Sequence, residues 1–253
     1  MYLHPLFTPL SQADRDALRD ATELLTYKRN QLVRAAGEPC QQVYCVATGL
    51  LRVARHSRES SEEVTTDFIQ RSDFFLPPSW AGDTFECPAT LVAALPCVIY
   101  AAPVKHLRAL CTKYPGLALG LLELEARRIG MLRTQLRRVT TSSATKIVGR
   151  VLHELTQWAP AERGGYDKRI TQTIIASYSG ISREMVNKTM KDMESRGLVT
   201  KDAQGIHVPA SFASTDFDAV LLDHDPVTEA AHPGPGEAML DLPPMKQNYP
   251  QNS

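Results

Sequence analysis

Between Ile170 and Val208 the sequence leaves room for little other than two short helices joined by a tight turn and followed by a hairpin. Thr171 opens the first helix, Thr171 to Tyr178, with a hydroxyl suited to capping free backbone N–H groups. Ser179-Gly180-Ile181 supplies the turn, with Gly180 free to take a backbone conformation that other residues resist. Ser182 caps a second helix, and Glu184 in its first turn is favoured by the helix dipole. Met185, Val186, Thr189, Met190 and Met193 are expected to face a core, leaving Arg183, Glu184, Asn187, Lys188 and Lys191 outward. Gly197 breaks the helix. Leu198 to Lys201, the turn Asp202-Ala203-Gln204-Gly205 and Ile206 to Val208 then read as a short hairpin, a wing.

A capped helix of this kind fits the major groove of DNA with its N-terminal residues on base edges. The alternative is an ordinary three-helix subdomain with a solvated charged face. From Lys168 to Lys201 there are seven Lys/Arg against three acids, and the polar residues cluster at the start of the second helix. Both features favour double-stranded DNA as the partner. The expected contact set is Ser182, Arg183, Glu184, Asn187, Lys188 and Lys191, with Gln172 and Thr173 from the first helix. The formal net charge of zero conceals a division. Ser214 to Ser253 carries seven acids and one base, so the remaining residues hold a net +6. That tail, rich in Pro, Asp and Gly, lacks the apolar periodicity that would offset its ordering entropy and is expected to be disordered.

Upstream the pattern is different. Leu10 to Leu25 reads as a helical lead-in with Ser11 as its cap. From Tyr27 to Ala102 short apolar runs follow: Gln31–Val33, Val43–Val46, Leu50–Val53, Val64–Ile69, Thr90–Ala93 and Val98–Tyr100. Turn signals separate them at Gly37-Glu38-Pro39, Thr48-Gly49, Arg55 to Ser61 and Pro77-Pro78. This spacing predicts an antiparallel barrel or jelly roll. Lys105 to Tyr114 is a helix, and a longer one runs from about Gly116 to Val139. In it Ala118, Leu122, Ile129, Leu132, Leu136 and Val139 fall on a/d spacing, interrupted by Glu125, and a seam of this length most simply packs against its twin. Leu117, Leu121 and Leu124 suit packing on the chain's own barrel, so both contacts are expected, on different faces. Arg127 to Arg150 holds seven bases and no acid. Ser143 to Trp158 is a further amphipathic helix, followed by a polar loop from Ala159 to Lys168.

Composition excludes several classes. No apolar run approaches the ~20 residues of a spanning helix, and the N-terminus has neither a basic start nor an apolar signal core. A cytoplasmic location with no membrane association is expected. Five scattered cysteines (40, 45, 87, 97, 111) with no Cys-x-x-Cys pair argue against a disulfide framework and read as small apolar core residues. His224 and His232 lack a partnered Cys/His set, so no metal site is expected. No phosphate-cradling Gly-rich loop, Gly-x-Ser-x-Gly or His-Glu-x-x-His motif supports an enzyme.

Strands, long helix and helix-turn-helix in this order resemble the cyclic-AMP receptor protein / fumarate-nitrate regulator (Crp/Fnr) family of bacterial transcription factors, over about Leu10 to Pro209. The most specific match is Gly180-Ile181-Ser182-Arg183-Glu184-Met185-Val186, close to the family's Gly-x-Ser-Arg-Glu-x-Val signature. Gly37-Glu38, Tyr44, Gly49 and Ala126-Arg127-Arg128-Ile129 are weaker matches. The resemblance implies an α+β chain. An N-terminal cyclic-nucleotide-binding-like jelly roll (1–115) is followed by a dimerisation helix (116–140), a C-terminal winged helix-turn-helix (141–209) and the acidic tail (210–253). It implies a homodimer, through Leu122, Ile129, Leu132, Leu136 and Val139, on a palindromic site, with RNA polymerase as a further partner. By position, Arg183 would read guanine and Glu184 would accept from cytosine, while Lys188 stands where the receptor protein has a base-contacting Arg.

The effector site departs from the family. Cyclic-AMP binders carry a Gly-Glu-Leu-type turn and a downstream Arg-Ser/Thr-Ala; here the corresponding pieces are Phe75-Leu76-Pro77-Pro78-Ser79-Trp80 and Cys87-Pro88-Ala89-Thr90. No Arg or Lys lies between Arg71 and Lys105, prolines remove backbone donors, and the family's adenine-contacting pair falls at Leu132 and Arg133. Cyclic AMP is therefore not expected as the effector, and the Cys cluster of an iron–sulfur centre is missing. Cyclic di-GMP or another effector stays open, as does an effector-free regulator. A ligand-binding signalling module whose helix-turn-helix contacts protein is the alternative function.

Overall fold

A computed structural model describes residues 4–56, 63–141, 143–161, 165–203 and 205–208, the side chains of 134 and 137–141 excepted. The acidic tail and the side chain of Val139 lie outside the described residues. After a short 3₁₀ turn at Pro5–Phe7 comes α1 (Gln12–Ala21), capped by Ser11, whose Oγ accepts from Asp14 N at 3.2 Å. The expected lead-in helix to Leu25 is four residues too long. Thr22 turns extended, its hydroxyl donates to Leu18 O, and β1 (Glu23–Tyr27) leaves along the sheet. Strand pairing with a later segment outweighed local helical periodicity there.

The six predicted runs are strands β2 (Leu32–Arg34), β4 (Gln42–Thr48), β5 (Leu51–His56), β6 (Glu63–Ile69), β9 (Thr90–Ala93) and β10 (Cys97–Pro103). Three two-residue strands carry no legible alternation: β3 (Pro39–Cys40), inside what reads as a turn, β7 (Phe74–Phe75) and β8 (Phe85–Glu86). Two four-stranded antiparallel sheets, ordered β1-β10-β4-β7 and β2-β9-β5-β6, with β3 paired to β8, form the barrel. Alternate residues such as Val46, Leu51, Ile69, Leu91 and Ile99 fill it. Gly49 turns β4 into β5 at φ +84°, and a Cβ there would lie 2.2 Å from Pro96 O, so the turn needs glycine twice over. The cysteines are free thiols. Cys40, Cys45, Cys87 and Cys97 are buried, and desolvation raises Cys45 to about 12 and Cys97 to about 11, so these two pack as neutral apolar groups.

Next come α2 (Val104–Lys113) and the 27-residue α3 (Pro115–Thr141). Two stripes of α3 do different things. Leu117 and Leu121 are 1 % and 3 % exposed in the barrel core, whereas Leu122 and Leu136 are 65 % and 69 % exposed, with Ile129 and Leu132 also uncovered. Among the described residues no helix is long and apolar enough to cross a membrane.

A second core unites α4 (Ala144–Trp158), α5 (Gln172–Ser179), α6 (Arg183–Ser195) and Leu198-Val199 with Leu50, Phe68, Ala94 and Leu95 of the barrel. Phe68, Trp158 and Tyr178 meet there with ring centroids 5.1–5.6 Å apart. The wing is three-stranded: β11 (Tyr166–Asp167), β13 (Gly205–His207) and β12 (Thr200–Lys201), in that spatial order. β11 lies within the stretch read as a polar loop, because only its Tyr166, fully buried, carries an apolar signal. Leu198 and Val199, read as strand, instead fill the core ahead of the wing.

Candidate nucleic-acid interface

Local chemistry sets the geometry of α5 and α6. Thr171 Oγ1 accepts from Ile174 N at 3.4 Å at the start of α5, and Gly180, at φ 72°, ends it with its N–H on Ala176 O. Ser182 Oγ accepts from Met185 N at 3.2 Å, fixing the first turn of α6. Val186, Thr189, Met190 and Met193 are buried at helical spacing. Met185, expected in the core, is 41 % exposed instead: it sits one residue, about 100°, off that stripe.

The opposite face of α6 is open. Ser182, Arg183, Glu184, Lys188 and Lys191 are exposed, as is Thr173 on α5. Asn187 and Gln172 are half-buried and touch, Gln172 Nε2 donating to Asn187 Oδ1 at 3.4 Å. Seven of the eight sequence-predicted residues therefore sit on the two helices of the helix-turn-helix, and the eighth, Ser182, caps the second.

Of the seven cations counted in the sequence, four are engaged elsewhere. Arg169 is held by Asp167 at 2.5 Å, Arg196 by Asp192 at 3.3 Å and Lys201 by Glu194 at 2.7 Å, while Lys168 donates to Ala203 O. Among the described residues, Arg183, Lys188 and Lys191 have no carboxylate partner, and all three lie on the exposed side of α6. Uncompensated positive charge is what a phosphate backbone or a guanine edge attracts. Which of the seven cations are free could not be read from the chain, because the partners of the engaged four lie anywhere from 2 to 35 residues away.

At the barrel, the segment read as departing from a nucleotide cassette includes the buried Cys87 and Ala89. Ala89 is 3 % exposed and its carbonyl accepts from the Cys87 thiol at 3.0 Å. The nearby cation is one the sequence reading missed: Arg108 reaches back from α2 to Asp83 Oδ1 at 2.5 Å and Trp80 O at 3.4 Å. It lies 25 residues after Asp83, beyond any local pattern. Leu76, Trp80, Arg108, Cys111, Leu121 and Leu122 line a cavity of about 420 Å³ between this segment, α2 and α3.

Comparison with known proteins places these parts together. The family profile for the cyclic nucleotide-binding domain matches residues 24–114, and that for the Crp-like helix-turn-helix domain matches residues 148–210. The chain is 26 % identical over 200 residues to the CRP-like cAMP-activated global transcriptional regulator of Mycobacterium tuberculosis, covering 77 % of this chain and 88 % of that one. Among solved structures it resembles FixK2 of Bradyrhizobium japonicum at a TM-score of 0.66 and 17 % identity, covering 74 % of this chain and 92 % of the other. It also resembles the c-di-GMP-responsive global regulator CLP of Xanthomonas campestris at a TM-score of 0.64 and 16 % identity, over 78 % and 99 %.

Proposed function

The chain belongs to the Crp/Fnr family of transcription regulators, and from that membership we propose that it works as a homodimer reading a two-fold symmetric DNA site with the N-terminal half of α6. The observation that carries this is the trio of cations, Arg183, Lys188 and Lys191, with no carboxylate partner among the described residues, on the face of α6 that no core covers. In this reading Arg183 donates its planar fork to guanine O6 and N7, and Glu184 accepts from cytosine N4. Lys188 acts as a point charge without that fork, which loosens its base preference. Ser182, Thr173, Gln172, Asn187 and Lys191 line the groove and its phosphates. Selection of bound fragments from random DNA tests the reading: an inverted repeat with half-sites about 10–11 bp apart supports it, and the absence of any enriched motif contradicts it.

The exposed stripe of Leu122, Ile129, Leu132 and Leu136 supports pairing of α3 with its twin, an apolar seam that a lone monomer would leave in water. Val139 extends the seam by sequence. We divide the chain accordingly into 1–115, 116–140, 141–209 and the tail 210–253, and place it in the cytoplasm with RNA polymerase as a further partner.

Cyclic AMP is not the activating effector in this proposal. A buried cyclic phosphate needs a cationic partner or pays several kcal/mol, yet Pro88 and Ala89 stand near the position where the family keeps an Arg, and Arg108 is already held by Asp83. Cyclic di-GMP, named for the Xanthomonas relative, or another ligand remains open to the same test. Calorimetry of nucleotide-free protein with cyclic AMP, cyclic GMP and cyclic di-GMP decides it; micromolar cyclic AMP binding that tightens DNA binding would overturn the proposal.

A further inference from the structure

The first helix of the helix-turn-helix does more than brace α6. Ser177 on α5 inserts its hydroxyl into β6, an edge strand of its barrel sheet. Thr65 N donates to Ser177 Oγ at 2.7 Å, Ser177 Oγ donates to Glu63 O at 2.7 Å, and the two hydroxyl oxygens lie 2.9 Å apart. Since Ser177 gives its one proton to Glu63 O, the Thr65 hydroxyl donates to it, and Thr65 Oγ1 in turn accepts from Arg52 Nη1 at 3.2 Å. Arg52 is ion-paired with Glu63. Both hydroxyl protons and both lone pairs of Ser177 Oγ are thus used, with Thr65 itself buried. A single serine pairs both the N–H of Thr65 and the C=O of Glu63 on β6, where an edge strand would otherwise present open groups. Directional bonds of this kind fix an angle, which the nondirectional Phe68–Tyr178 contact beside them cannot.

We infer that Ser177 is a positioning residue for DNA recognition: through Thr65 and Glu63 it sets the angle between the helix-turn-helix and the barrel, and hence the half-site spacing the dimer accepts. A cleft of about 910 Å³, whose lining includes Arg52, Glu63, Ser177 and Arg183, runs from this junction to the start of α6, so the junction and the base-reading end border one cleft. One base pair of extra spacer rotates a half-site by about 35° and moves it ~3.4 Å. A fixed angle therefore discriminates spacers, and a loosened one does so less. The inference rests on the dimeric reading above.

The test measures affinity of the full-length protein for sites whose spacer is optimal, one base pair shorter or one longer, alongside base preference within a half-site. For Ser177→Ala the preference for the optimal spacer should fall roughly fivefold, the worth of one net hydrogen bond, with half-site base preference unchanged. Thr65→Val should act in the same direction, and Ser177→Thr, which keeps the hydroxyl, should restore the spacer preference. Should Ser177→Ala fail to fold, Thr65→Val carries the same comparison. A wild-type protein with no spacer preference would refute the dimeric reading itself. A wild-type preference that both Ser177→Ala and Thr65→Val retain in full would overturn the role of Ser177 alone, even if both variants melt at lower temperature.

Discussion

The guanidinium of Arg128 on α3 lies 2.9 Å from the carboxylate of Asp67 on β6, and ties the long helix to the strand that docks the helix-turn-helix. The same guanidinium donates to Phe74 O at 2.9 Å and faces Asp73 and Glu125 at 3.5 Å each, so one cation serves three carboxylates. Burial of Asp67 outweighs the attraction of Arg128 and raises its pKa to about 6, and burial raises Asp73 as well.

A pH dependence follows. The folded protein keeps the Asp67 proton up to about pH 6, whereas the unfolded chain releases it near the ordinary value of 3.8. The stability this group contributes is therefore full below the unfolded value and is lost as pH rises through about 6. His4, whose pKa burial lowers and which lies near Asp73, pulls the other way, so the comparison is made against a variant. Relative to Asp67→Asn, the wild type should gain melting temperature between pH 7 and pH 5. Parallel curves for the two proteins would show that Asp67 does not titrate there.

Tyr166 is fully buried in the wing core and its hydroxyl has no hydrogen-bond partner among the described residues. An unpaired buried hydroxyl costs about 1–3 kcal/mol, and burial also pushes its phenol pKa up. Tyr166→Phe removes that cost while keeping the ring, so stability should rise by about 1 kcal/mol. Denaturant unfolding checks it; a loss of that size would mean the hydroxyl is paired in solution.

Much of this was legible beforehand, and the exceptions share a cause. Thr171, Gly180 and Ser182 punctuate their helices through bonds made within three or four residues, so the helix-turn-helix could be placed almost to the residue. The two stripes of α3 followed from helical period alone. β1, β3 and β11 were missed because each exists only through pairing with a distant strand: Leu25 with Ile99, Cys40 with Phe85, Tyr166 with Ile206. Ser177 and Arg108 were missed for the same reason. Their partners Thr65 and Asp83 lie 112 and 25 residues away, and nothing local marks either residue.

Dimerisation through α3 is checked with Leu132→Arg, which would set like charges across the two-fold axis in an apolar seam. Leu132 is exposed in the single chain, so the substitution should leave the fold intact. Analytical ultracentrifugation should show a monomer, and affinity for a two-fold site should collapse. A dimer of unchanged stability would place the interface elsewhere.

The central claim is that the free cations of α6 read DNA, and sequencing of sites selected from random DNA by wild type and by Arg183→Ala tests it most directly. Loss of the guanidinium should cost about 1–3 kcal/mol per bidentate contact and relax base choice at one position, repeated symmetrically in both half-sites. Arg169→Ala, whose side chain is held by Asp167, should leave the selected motif unchanged. An Arg183→Ala protein that selects the wild-type motif with undiminished information at every position would contradict the account.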